Sequence, residues 1–400
     1  MKFAHMADCH LGAWRDPLLK DLCTQSFEKA IDISIDNGVE FILISGDLFH
    51  TAIPSIDTIK LAVRKLKQVK EKDIPVYIIA GSHDFSPSGK TMIDVLEEAG
   101  LVTNVVKGNI NDSGELVLEF TTDKKTGAKI TGMLGKKGML EKKFYENLNT
   151  KNIEAEKEFK IFMFHTAISE LKPKELEKMD SSPVSLLPKG CDYYAGGHVH
   201  IVKEANLEGY KNLIYPGPVF PANFAELENL GQGGFYIYHD KPEFIPIELK
   251  KTVSISIDAN HKSPEQVMET IKSKADCKID SCIVLIRIAG KLKSGRTNDI
   301  NIRIIQDIFI KKNSYVVLVN KTALTSEEFD EIKIDQNSAE DIESALIKEH
   351  LGQVKVDFAE QEEEITKQLM HALSLEKQEG EKVADYQSKI KGMVREILRV

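Results

Sequence analysis

The chain has 400 residues, more than one ordinary core accommodates, so two or three domains are expected. With 42% hydrophobic and 29% charged residues it has the composition of a soluble globular protein, and its longest apolar runs, such as FILIS, are strand-sized and too short for a membrane span. The net charge of −9 is uneven: residues 331–400 hold 16 acidic and 10 basic side chains, so the total says little about the surface of the preceding part.

The opening stretch MKFAHMADCH meets His5 and Asp8 where a leader peptide would be apolar, so a cytoplasmic protein is expected. Over residues 1–240, short apolar runs alternate with amphipathic stretches long enough to be crossover helices. Strands are expected at residues 2–6, 39–45, 75–80, 160–164, 193–195 and 235–238, with helices at 27–37 and 55–69 among the connections. This is the pattern of an α/β layered domain, in which functional side chains collect just past the strand ends.

The sequence past each of five strands carries Asp or His. ADCH supplies Asp8 and His10, GDLFH supplies Asp47 and His50, and GSHD supplies Ser82, His83 and Asp84. FMFHT adds His165, and GGHVH adds His198 and His200. A lone histidine near a strand is most often a core or surface residue; five successive strand ends carrying these types point to one site. The D-x-H and H-x-H spacing is expected to put two ligands on one side of an extended segment.

Aspartate and imidazole without cysteine suit Mn²⁺, Zn²⁺ or Fe²⁺. The five cysteines, at 9, 23, 191, 277 and 282, form no CxxC pair, and Cys9, between two candidate ligands, reads as packing. Two-metal hydrolytic sites need a bridging carboxylate, and Asp47, central in strand order and preceded by Gly46, is the natural bridge.

Residues 251–323 read as a second, smaller unit. TVSISID alternates as a strand, Ser263-Pro264-Glu265-Gln266 is a capping-box helix start, and CIVLIRI and SYVVLV supply two more strands. The loop expected at 290–296, GKLKSGR, gathers Lys291, Lys293 and Arg296, and the helix at 55–69 carries Lys60 and Arg64; each set reads equally as a solvated surface and as candidate DNA contacts. In the tail, Ile365, Leu369 and Leu373 form one apolar stripe, and Tyr386, Ile390, Met393, Val394, Ile397 and Leu398 form a second, which suggests two helices that either cover a partner or fold back on the second unit.

In this order, ADCHLG, GDLFH, GSHD, FHT and GHVH resemble the five signatures of the calcineurin-like metallophosphoesterases. The start at the first strand, Pro216-Gly217 after the last signature, the small second unit and the helical tail are similar to the Mre-eleven/SbcD family of DNA double-strand-break repair nucleases, of archaeal type. The resemblance implies an α/β fold, a metallophosphoesterase β-sandwich flanked by helices, with a small α/β capping domain and a helical C-terminal tail. It divides the chain into a nuclease domain (1–250), a DNA-capping domain (251–323) and a linker with a helical ATPase-binding segment (324–400).

The same resemblance implies two Mn²⁺ ions per chain, with Mg²⁺, Zn²⁺ or Fe²⁺ as substitutes. Asp8, His10, Asp47 and His200 would hold one, and Asp47, His165 and His198 the other. The family's asparagine ligand is Ser82 here, a shorter and poorer donor. His83 would be the catalytic histidine, Asp84 the carboxylate that orients it, and His50 a second histidine that positions DNA or a metal-bound water. The implied activity is 3′-5′ exonuclease and single-strand endonuclease at DNA ends, by a homodimer that carries a Rad-fifty/SbcC-type, SMC-like ATPase on its C-terminal helices. Helices near the N-terminus, such as residues 54–70, are candidates for the dimer interface. A phosphatase acting on small phosphoesters, or a DNA-end tethering scaffold with weak catalysis, are the alternatives.

Overall fold

The computed structural model of the chain describes residues 1–86, 89–136, 141–173, 179–275, 278–327, 362–375 and 383–398. Lys2–Met6 (β1), Phe41–Ser45 (β2), Val76–Ile79 (β3) and Thr103–Asn104 (β4) pair in parallel. Their crossovers are Pro17–Asp36 (α1), Ile56–Glu71 (α2) and Met92–Glu98 (α3). α1 begins ten residues before the expected start at 27, because Asp16 accepts hydrogen bonds from the Leu18 and Leu19 amides and Pro17 occupies the first turn.

A hairpin of Gly108–Ile110 (β5) and Leu116–Leu118 (β6) leads into a second sheet. That sheet contains Thr121–Thr122 (β7), Lys129–Gly132 (β8), Lys160–His165 (β9), Tyr193–Gly197 (β10), Val202–Leu207 (β11) and Tyr210–Pro216 (β12), in the order β11-β12-β10-β9-β8-β7. Lys142–Glu146 (α4) and Lys151–Ala155 (α5) lie between β8 and β9. After Phe224–Leu230 (α6), the chain returns to the first sheet as Gly233–His239 (β13) and Lys241–Ile247 (β14), giving β14-β13-β1-β2-β3-β4.

The two sheets face each other, and the reason is legible in FILIS. Phe41 and Leu43 point between the sheets, against Ile161, Met163, Tyr193 and Ala195, while Ile42 and Ile44 point the other way, into the core beneath α1 and α2 with Phe27, Ile31 and Leu66. A strand buried on both faces needs apolar residues at both parities, which is what a continuous apolar run supplies. The second sheet repeats this, with Phe162, Phe164, Tyr194 and Tyr215 on its outer face against Tyr145 and Ile153.

Thr252–Asp258 (β15), Ile283–Leu292 (β16) and Val316–Ser326 (β17) form a third, all-parallel sheet, crossed by Pro264–Lys274 (α7) and Ile302–Ile310 (α8). One face packs on these helices through Ile257, Val284, Ile286, Val267, Ile271 and Phe309. The other seats on the first unit, where Ile283, Leu285 and Val316 meet Leu19, Leu22, Phe220 and Leu227. The segment expected as a loop from 290 begins instead as strand: β16 pairs with β17 as far as Leu292 opposite Ser326, past a register shift between Arg287 and Ala289.

Glu362–Ser374 (α9) and Val383–Leu398 (α10) pack on each other, and the Tyr386 hydroxyl donates to the Leu375 carbonyl at 2.8 Å. Ile365, Leu369, Ile390, Met393, Val394, Ile397 and Leu398 are only half-buried and Leu373 is exposed, so the two stripes do not fully cover each other. Residues 328–361, most of the expected linker, lie outside the described residues. No described helix is long and apolar enough to cross a membrane. Cys9, Cys23, Cys191 and Cys282 are buried and free.

Candidate metal centre

β1, β2 and β3 of the first sheet and β9 and β10 of the second bring their C-terminal ends to one edge of the sandwich. Beyond that edge the loops after β1 and β2 zip together: the Asp8 amide donates to the Gly46 carbonyl at 3.1 Å, His10 to Asp47 at 3.0 Å, and His50 to Leu11 at 3.1 Å. All the Asp and His residues expected from the five strand ends are thereby gathered.

The pairs converge for a different reason from the one expected. Asp8, His10, Asp47, His198 and His200 have φ of 50°, 43°, 52°, 96° and 55°, a left-handed conformation that non-glycine residues seldom take. Alternation along an extended segment therefore does not align Asp8 with His10 or His198 with His200; a tightly folded loop does, and at Asp8, His10 and Asp47 its strain is offset by the loop-to-loop hydrogen bonds above. Gly46, with φ +86°, is required here: a Cβ on it would collide with Nδ1 of His165.

Asp47 is the centre of the arrangement. Its Oδ1 accepts the His83 amide at 2.7 Å, which leaves Oδ2 facing the cluster. On Oδ2 converge Nε2 of His165 at 3.2 Å, the Ser82 hydroxyl at 3.4 Å and Nε2 of His10 at 3.8 Å. Asp8 accepts the His198 amide on both oxygens, at 3.0 and 3.1 Å, and its Oδ1 lies 3.5 Å from Nε2 of His200. Ligand atoms of Asp8, His10, Asp47 and His200 all lie within 4.8 Å of one another, as do ring nitrogens of His10, His50 and His83. The His198 ring stands edge-on to that of His165, centroids 5.1 Å apart.

Divalent cations fit this donor set. His165 donates from Nδ1 to the Ser45 carbonyl at 2.8 Å, so in the neutral ring Nε2 carries the lone pair; that atom is buried without a hydrogen bond, directed at a carboxylate oxygen. Nε2 of His10 and Nε2 of His200 face each other at 3.0 Å. Ring nitrogens and carboxylate oxygens set this close call for positive charge between them, supplied by a cation or by protons on the rings. The same demand shows in the protonation of the site. Burial lowers His10 to about 3, helped by His200, and lowers His198 to about 4, helped by His165. Against burial, Asp47 raises the pKa of His165 and Asp8 raises that of His200.

His83 and Asp84 depart from expectation in how they are held. Asp84 does not meet the His83 ring: its carboxylate accepts the amides of Asp47 at 2.9 Å, Gly81 at 2.9 Å and Phe49 at 3.2 Å, and so pins the loop that carries Asp47. Burial and then the Asp47 charge push the Asp84 carboxyl upward. The His83 ring is oriented instead by the His50 carbonyl, 2.8 Å from Nδ1. The His50 ring stacks on His83 with centroids 5.4 Å apart, and its Nδ1 lies 3.4 Å from Nδ1 of His10.

The candidate DNA contacts lie outside this cluster. α2 leaves the site end of the sandwich at Ser55, so Lys60 and Arg64 sit roughly 7 and 13 Å down the helix from that cap. Arg64 pairs with Glu28 at 2.7 Å and Lys60 approaches Asp57 at 3.9 Å. Lys291 lies in β16, one residue before its end at Leu292, and Lys293 follows the strand, while the Arg296 amide donates to Asp299 at 2.7 Å.

One residue was missed from the sequence. Glu226, on α6, accepts Nδ1–H of His200 at 2.8 Å. Although burial opposes it, that hydrogen bond and the His200 charge hold Glu226 below the usual carboxylate range. The spacing Asn223-x-x-Glu226 just after Pro216-Gly217 is a helix-start signal that could have placed it. A cleft of about 590 Å³ opens beside it, lined by His198, His200, Asn223 and Asn229 among others.

Residues 1–202 match the family model for the calcineurin-like phosphoesterases. The chain is 26% identical over 360 residues to the DNA double-strand break repair protein Mre11 of Archaeoglobus fulgidus, covering 84% of this chain and 77% of that one. It is 28% identical over 378 residues to the Mre11 protein of Methanocaldococcus jannaschii, covering 90% of both chains, and 29% identical over 253 residues to that of Methanococcus maripaludis, covering 59% and 62%. The chain therefore belongs to the calcineurin-like phosphoesterase family, as a metal-dependent phosphodiester hydrolase similar along most of its length to archaeal Mre11 proteins.

Proposed function

We propose that this chain is a dinuclear, manganese-dependent nuclease that processes double-strand-break ends, as a 3′-5′ exonuclease and single-strand endonuclease, in complex with an SMC-like ATPase. The observation that carries the reading is Asp47 Oδ2, on which His10 and Ser82 from one sheet and His165 from the other converge within 3.8 Å. The names of the archaeal relatives support DNA ends as the substrate.

Asp8, His10, Asp47 and His200 would hold one cation, and Asp47, His165 and His198 the other, with Ser82 at the edge of the second. Bound there, the cations supply Lewis acidity to the phosphate and activate water for in-line attack. The chain's own part is to hold and to protonate. With Nδ1–H committed to the His50 carbonyl, His83 turns Nε2 to the substrate, and in its imidazolium form that nitrogen carries the proton that the departing sugar oxygen takes, a role worth roughly 10²–10⁴ in rate. The His50 ring, stacked against His83, shapes the approach of the phosphate.

Residues 1–250 would form the nuclease domain, 251–323 the capping domain, and 324–400 the linker with α9 and α10 as the ATPase-binding segment, whose half-covered apolar stripes support a partner there. Lys60, Arg64, Lys291, Lys293 and Arg296 would meet the phosphate backbone. Ile53 and Ile56, 79% and 76% exposed just before and at the start of α2, support a homodimer through this region. A cytoplasmic location agrees with this work on DNA.

The test is a 3′-labelled duplex and p-nitrophenyl phosphate esters, each incubated with and without Mn²⁺. Manganese-dependent release of labelled nucleotide is expected; strong esterase activity with intact DNA would make the chain a small-substrate phosphatase.

A further inference from the structure

α6 is a short helix held on several sides, and it presents one carboxylate to the metal centre. Glu226 joins its two oxygens to different partners: Oε1 accepts Nδ1–H of His200 at 2.8 Å, and Oε2 accepts the Ala222 amide at 2.7 Å. The Asn223 side-chain amide also donates to Oε1, and the Asn223 oxygen accepts the Glu226 amide at 3.0 Å. Glu226 thus closes the first turn of its own helix while it reaches out of it.

The helix is tethered to both units of the chain. The indole of Trp14, four residues past His10, donates to the Pro221 carbonyl at 2.9 Å. From the third sheet, Arg287 grips Glu228 through Nε at 2.9 and 3.0 Å and a terminal nitrogen at 2.6 Å, with its guanidinium 5.2 Å from the Phe224 ring centre. Leu227 is buried where the two units meet.

We infer that Glu226 is a positioning residue of the metal centre: its carboxylate fixes the ring angle and tautomer of His200, so that Nε2 faces Asp8 and His10. A carboxylate on the far nitrogen of a ligating imidazole both locks the ring and makes it a better donor, and losing such a partner typically weakens metal binding by about 10–100-fold. The inference rests on the proposed role of His200 as a ligand.

The experiment is titration of the full-length, metal-free protein with Mn²⁺, followed by electron paramagnetic resonance. Glu226→Ala is expected to weaken one of two sites by about 10–100-fold. Glu226→Gln, whose amide oxygen still accepts Nδ1–H, is expected to restore most of that loss. Glu228→Ala loosens the same helix from Arg287 but touches neither Glu226 nor His200, and is expected to bind Mn²⁺ within a few-fold of wild type. Wild-type affinity in Glu226→Ala, or an equal loss in Glu228→Ala, would overturn the inference while leaving the metal centre intact. A wild-type chain that takes up no Mn²⁺ would overturn the metal-centre reading, and this inference with it.

Discussion

The Nδ1 atom of His83 lies 2.8 Å from the carbonyl oxygen of His50, so the backbone of one strand end sets the ring of a residue from another. A carbonyl only accepts, so Nδ1 must carry the proton and Nε2 is the atom turned to substrate. The relationship also explains why the two rings stack: the loop after β2 brings both the carbonyl and the His50 imidazole against His83.

His83→Ala is therefore expected to lower the nuclease turnover by roughly 10²–10⁴ while leaving bound metal and DNA affinity near wild type. Mass-spectrometric metal content beside a single-turnover assay checks it. Loss of metal from the variant would make His83 a ligand.

Asp84→Ala removes the acceptor for three buried amides, those of Asp47, Phe49 and Gly81. A buried donor left unpaired costs about 1–3 kcal/mol, and the three are coupled, so a loss on the order of 3 kcal/mol is expected in urea denaturation of the metal-free protein. The ring of His83 should keep its orientation, because the carboxylate does not touch it.

Gly46→Ala places a methyl group against Nδ1 of His165, in a backbone conformation that alanine resists. The expected outcome is loss of the cation proposed for His165 and His198, read as a drop in Mn²⁺ per chain. A variant with full metal content would show that the loop relaxes around the methyl.

Ser82→Asn extends a neutral oxygen donor from a position where the hydroxyl lies 3.4 Å from Asp47 Oδ2. It is expected to tighten the weaker Mn²⁺ site by about tenfold, ~1.4 kcal/mol. Calorimetric titration of both proteins decides; unchanged affinity in a folded variant would place residue 82 outside the coordination sphere.

Chelation should lower the melting temperature and Mn²⁺ should restore it. A ligand bound only by the native state stabilises by about 2.7 kcal/mol when present at 100 times its dissociation constant. A melting curve indifferent to EDTA and Mn²⁺ would argue that the cluster holds no cation.

The sequence by itself determined which residues could serve and roughly where. FILIS and IPVYIIA declare doubly buried strands because no solvent-facing parity is left polar, and Asp8, His10, Asp47, His83, His165, His198 and His200 follow such strands at once. The polar, alternating β11 was passed over because an edge strand carries little of this signal.

Only the tertiary structure decided how the residues meet. The left-handed backbone of Asp8, His10, Asp47 and His198 sits on hydrogen bonds between segments far apart in sequence, which no local pattern encodes. For the same reason the orienting roles changed hands: Asp84, adjacent to His83 in the chain, faces back to the Asp47 loop, while the His50 carbonyl and Glu226, 33 residues from His83 and 26 from His200, hold the rings. A residue type announces chemistry locally, but a hydrogen bond to a ring nitrogen is a property of position in space.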